Sequence, residues 1–172
     1  MQIGILARTF ARPTLGELLA AIARHGIESV QFNLACVGLP TLPEQIDLAL
    51  ADQIRREFSG HKLHLAAVSG TFNMIHPDIQ VRRDGLRRLK ELIRACARMG
   101  APVITLCTGT RDPENMWRPH PDNDSPAAWS DLLAGLSEVL PLAEATQITL
   151  GVEPEPGNVI SSARKARRSR GG

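Results

Sequence analysis

Short apolar runs alternate along this chain with longer segments of helical periodicity. Five runs have strand length, at residues 3–7, 29–33, 63–68, 103–107 and 148–153. Four helical segments lie between them. The first opens on Thr14 with Glu17 three residues later, a capping box in which each side chain satisfies a free backbone N–H. Leu15, Leu18, Leu19 and Ile22 form its apolar face, and Gly26 marks its end. The second runs from about Glu44 through Leu48, Ile54 and Phe58 to Gly60. The third places Leu86, Leu89, Ile93 and Cys96 on one face and stops at Gly100. The fourth begins Ser125-Pro126 and carries Trp129, Leu132, Leu133, Leu136 and Val139. The order βαβαβαβαβ implies parallel strands with right-handed crossovers, and the continuous apolar strands imply a sheet covered on both faces. A doubly wound open sheet and a (β/α)8 barrel both fit this pattern.

Composition narrows the setting. Apolar residues make up 43% and charged residues 22% of 172 residues, ordinary usage for one folded domain. No apolar stretch approaches the ~20 residues of a membrane span, so no membrane partner is expected. The start, MQIGILARTF, lacks the basic flank of a secretory signal. Cys36, Cys96 and Cys107 are widely spaced in apolar contexts, which points to reduced thiols and a cytoplasmic setting. The net charge of +2 is uneven. Five cations and no acid lie in the last nine residues; removing those five from the 20 Lys and Arg leaves 15 against 18 acids, about −3 for residues 1–163. Residues 1–163 therefore read as the folded unit and residues 164–172 as a basic, disordered tail.

Parallel βα folds place chemistry in the loops after the strands, at their C-terminal ends. Glu153 ends an apolar strand, where an unpaired carboxylate is costly. Either a salt bridge or backbone partner, or a metal ion or substrate hydroxyl, would hold it. The tripeptide His-Pro-Asp occurs twice, at His76 and His120, each after a strand. It reads either as a proline turn whose Asp caps the next helix or as imidazoles lining a polar pocket with Asn73. In the long loop after the fourth strand, Arg111 could hold an anion and Trp117 could stack on a sugar face; Trp117 could equally pack the loop down. Arg83, Arg87, Lys90, Arg94 and Arg98 form a basic stripe on the third helix, read as a solvated outer face rather than a nucleic-acid footprint. Dinucleotide, P-loop, HExxH, CxxC and GxSxG motifs are absent, so nucleotide-dependent and serine-hydrolase chemistry have no support.

Taken together, Ser-Gly-Thr-Phe-Asn-Met-Ile-His-Pro-Asp, Met-Gly-Ala-Pro-Val-Ile-Thr-Leu-Cys-Thr-Gly-Thr-Arg-Asp-Pro-Glu-Asn-Met-Trp and Gly-Val-Glu-Pro-Glu resemble the sugar phosphate isomerase/epimerase family of xylose isomerase-like TIM barrels. The resemblance covers Met1 to about Ala163 and implies a (β/α)8 barrel. It implies a divalent metal (Mn, Mg or Zn) at the C-terminal face, with Glu153 as one ligand and also as the carboxylate that moves a proton next to a carbonyl. Asn73, His76, Arg111, Trp117 and His120 are then candidate binders of a sugar or cyclitol substrate. The endonuclease branch fits less well, since no histidine stands at the ends of the third and fourth strands.

The chain departs from the family in supplying five strands. The expectation is a partial barrel of five parallel strands and four helices, truncated after the fifth strand. The sixth, seventh and eighth strands carry the family's other metal ligands and its second carboxylate. Metal binding and turnover by this chain alone are therefore expected to be weak. The open barrel edges offer a route to homo-oligomers. Nucleic acid is not an expected partner, although a non-catalytic nucleic-acid-binding or self-assembling fragment is the alternative reading.

Overall fold

The computed structural model describes residues 3–168. Five strands and five helices alternate: β1 (Gly4–Leu6), α1 (Leu15–Arg24), β2 (Ser29–Phe32), α2 (Leu48–Gly60), β3 (His64–Ser69), α3 (Ile79–Met99), β4 (Val103–Leu106), α4 (Pro126–Ala145), β5 (Thr149–Val152) and α5 (Ala163–Arg168). All strand pairs are parallel, and the sheet order is β1-β2-β3-β4-β5. That order never reverses. A doubly wound sheet needs a switch point where it does, so this is the barrel type of winding, carried through five strands.

Capping fixes where the helices begin. Thr14 and Glu17 form the expected box, with the Glu17 N–H donating to Thr14 Oγ1 at 3.2 Å and the Thr14 N–H donating to Glu17 Oε2 at 3.2 Å. Ser125 Oγ accepts from the Ala128 N–H at 3.1 Å ahead of Pro126. The second helix starts at Leu48, four residues after the expected Glu44. The reason is Asp47, whose carboxylate accepts the Ala49 N–H at 2.8 Å and so makes Asp47 the cap. Residues 164–168 of the tail, expected to lack structure, form α5 together with Ala163. The remainder of the tail, 169–172, lies outside the described residues.

The helices bury their apolar faces against one side of the sheet. Leu19, Ile22, Ile54, Leu89, Leu92, Ile93 and Leu132 have no exposed surface or almost none, and Val30, Phe32, Val68, Ile104 and Leu106 meet them from the strands. Phe32 and Phe58 pack edge to face, with ring centroids 5.6 Å apart. The other face is the barrel interior. It carries Gln31, Ser69 and Thr105, and the register sets Thr105 beside Ser69 and Gly151. Small and polar groups on that side leave an open polar floor. At the edges of the sheet, Ile3 and Leu6 are exposed and Leu150 and Val152 are half-buried.

The stripe on α3 is largely neutralised. Arg87 pairs with Glu44 and Asp84, Lys90 with Glu138, Arg94 with Glu91, and Arg98 with Asp52. Cys36, Cys96 and Cys107 are free thiols. No helix among the described residues is long and apolar enough to cross a membrane.

Candidate functional site

The C-terminal ends of all five strands converge on one cleft of about 380 Å³. Leu6 and Arg8 come from the end of β1, Gln31 and Asn33 from β2, Ser69 and Thr71 from β3, Cys107 from β4, and Glu153 and Glu155 from β5. Met116 and Trp117 reach in from the long loop after β4. The cleft floor is tied together by one amide. Gln31 Nε2 donates to Thr105 Oγ1 at 2.9 Å and to Ser69 Oγ at 3.3 Å, and the Gln31 side chain also hydrogen-bonds the Glu153 carboxylate.

Glu153 is placed by its backbone, whose N–H donates to the Leu106 carbonyl at 2.8 Å and prolongs the β4–β5 ladder by one residue. Burial pushes its carboxyl above the ordinary glutamate value, the Glu155 charge adds to this, and the Gln31 hydrogen bond opposes it. Cys107 lines the same cleft with its thiol pushed up to about 11, mainly by burial; a hydrogen bond with Thr71 opposes the rise, and the Glu155 and Glu153 charges add to it. At neutral pH the thiol keeps its proton and is a poor nucleophile.

Of the other residues singled out from sequence, the cleft takes in Trp117 alone. Trp117 is 51% exposed at the rim. His76 is engaged as a turn element: its Nδ1 accepts the Asp78 N–H at 3.0 Å, so Nε2 carries the proton toward the Pro113 carbonyl at 3.1 Å. Asp78 in turn caps α3 by accepting the Gln80 N–H at 2.7 Å. The ring of His120 accepts the Asp122 N–H at 3.2 Å, at the start of a short 3-10 turn. Arg111 is largely buried, donating to the Ile75 carbonyl at 2.9 Å and to Asp131 at 2.5 Å. Asn73 accepts the Thr110 N–H at 2.9 Å. All four brace the loops around the cleft and do not line it.

Two further asparagines do the same work. Asn123 accepts from the Thr110 hydroxyl and the Arg111 N–H and donates to the Gly157 carbonyl. Asn158 accepts from the Gly109 N–H at 2.8 Å and donates to the Met116 carbonyl at 2.9 Å. Both are buried, and together they lock the segment after β5 onto the loop that carries Trp117. Their partners lie 12 to 49 residues away in the chain, so no local motif announces them. Gln31 escaped notice for the same reason, its partners lying 38 and 74 residues away.

A divalent metal does not fit these residues as a complete site. Among the described residues, no three His, Cys, Asp or Glu side chains come together to hold a metal ion. Beside Glu153 the cleft supplies Glu155 and a protonated thiol, short of the ligand number a divalent cation takes.

The family model of the xylose isomerase-like TIM barrel matches residues 19–169. The chain belongs to the xylose isomerase-like TIM barrel family. Solved structures agree with this xylose isomerase-like assignment at the level of fold. A 3-keto-D-glucoside 4-epimerase from E. coli matches with a TM-score of 0.77 and 16% identity, over 98% of this chain and 63% of that one. The IolI protein, solved with a bound zinc atom, matches with a TM-score of 0.72 and 16% identity, over 98% and 58%. A D-psicose 3-epimerase solved with D-fructose matches with a TM-score of 0.68 and 16% identity, over 90% and 52%. This xylose isomerase-like chain thus spans less than two thirds of each of these structures. No curated protein sequence matches it.

Proposed function

We propose that this chain supplies the first five strands of a sugar or cyclitol (phosphate) isomerase/epimerase-like barrel, in which Glu153 moves a proton on and off the carbon next to a carbonyl. The observation that carries the reading is Glu153 itself. It is a carboxylate at the end of β5, facing a polar cleft, with its acidity weakened by burial and by Glu155. An acid/base group works best when its pKa moves toward the working pH, and the shift here runs in that direction. The carboxylate takes the C–H proton, the electron pair passes to the carbonyl oxygen to give an enediolate, and the proton returns to carbon or exchanges with water. Gln31 fixes the carboxylate from the cleft floor, and Trp117 offers an apolar wall to a sugar face. The sugar epimerases among its structural matches support the substrate class. With one such carboxylate on one wall, turnover by this chain alone is slow.

Titration of the 15N-labelled chain with a ketose tests the placement. The expected result is amide shifts clustered at Gln31, Ser69, Cys107 and Glu153, retained in Glu153→Gln. Shifts confined to other surfaces would contradict it.

A further inference from the structure

Arg8 stands at the end of β1 and lines the candidate cleft. It also lines a second cavity of about 230 Å³, whose walls include Phe10, Arg12, Leu18 and Cys36. The two spaces therefore share one guanidinium. Arg12 donates to the neighbouring Ala11 carbonyl at 2.7 Å. Among the described residues no carboxylate lies within ion-pair distance of Arg8 or Arg12, so both charges are available to an incoming anion. The acids of the cleft sit on the opposite wall: Glu153 and Glu155 follow β5, and β1 and β5 are the two outer strands of the sheet. A ligand carrying a negative group is repelled from the β5 wall and attracted to the β1 wall, which fixes which of its ends meets Glu153. Arginine suits this task because its planar fork matches phosphate and carboxylate oxygens.

We propose that the cavity between Arg8 and Arg12 is a subsite for the anionic group of the substrate, a phosphate ester or a carboxylate, held while the carbonyl end lies at Glu153. The proposal deepens the sugar-converting reading of the cleft and rests on it. It makes the preferred substrate an anionic sugar rather than a neutral one.

Calorimetric or NMR titration of the full chain with three probes tests it: D-fructose, D-fructose 6-phosphate and 2-keto-D-gluconate. The expected result is at least tenfold tighter binding of one anionic probe than of fructose, and the favoured probe identifies the anionic group. That advantage is expected to disappear in Arg8→Gln, to shrink in Arg12→Gln, to survive in part in Arg8→Lys, and to weaken with added salt. Both arginines are exposed, so these variants should keep the parent's circular dichroism and melting curve. Equal binding of the three probes would overturn the proposal, as would an advantage that survives in the Arg8→Gln/Arg12→Gln double variant. The same titrations in Glu153→Gln separate the two readings. Binding preference there reports the subsite alone, whereas hydrogen exchange on the sugar reports the chemistry of Glu153.

Discussion

At the scale of single residues, the useful distinction is between side chains that face the cleft and side chains that hold its loops. Glu153 was legible because a carboxylate closing an apolar strand is an anomaly in the sequence itself. His76 and His120 were also conspicuous, but their rings accept backbone N–H groups two residues on, a local use that the His-Pro-Asp spacing permits. Gly109 shows how tightly the loops are held. It sits at φ +78°, and a β-carbon there would collide with Asn73 Oδ1. Gly109→Ala is expected to destabilise the chain by more than ~1 kcal/mol in chemical denaturation. Asp112 gives a pH-dependent case. Its carboxylate accepts the Glu114 and Asn115 N–H groups at 2.9 and 2.8 Å and pairs with Arg118 at 3.0 Å. The two backbone hydrogen bonds, helped by the Arg118 charge, hold its carboxyl below the ordinary aspartate value. A depressed pKa stabilises the fold above the unfolded value and is lost as pH falls through the folded one. Asp112→Asn should therefore lower the melting temperature at pH 7, with the gap to the parent closing below about pH 4. A pH-independent gap would contradict this.

At the scale of elements, helix and strand existence followed from periodicity, while boundaries followed from caps. Thr14 and Ser125 were readable because their partners are three residues away. Asp47 was not singled out because the helix was expected to start earlier, at about Glu44, which placed Asp47 inside its first turn. Thr14→Ala removes the N-cap of α1 and should cost about 1 kcal/mol in denaturant-induced unfolding. The strands differ in what the sequence shows of them. Their outward residues make the apolar runs that identify them. Their inward residues, Gln31, Ser69 and Thr105, meet only through the sheet register, at separations of 38 and 74 residues. The floor of the cleft is thus a product of topology and could not be read from any one segment.

At the scale of the whole molecule, strand order resolved what alternation left open. A sheet running β1 to β5 without reversal directs every strand end into one cleft, with cationic Arg8 at one outer strand and Glu153 and Glu155 at the other. The donor set of that cleft predicts weak metal affinity: Mn²⁺ titrated into the 172-residue chain should bind more weakly than micromolar, and stoichiometric micromolar binding by calorimetry would contradict the count of ligands. Proton transfer by Glu153 next to a carbonyl is read out by deuterium incorporation. A panel of ketoses, including D-fructose 6-phosphate, is incubated with the chain in D2O and followed by proton NMR at the carbon beside the carbonyl. Slow exchange above the protein-free rate is expected, falling to that rate in Glu153→Gln. No exchange above the protein-free rate across the panel, or exchange unchanged by Glu153→Gln, would contradict it.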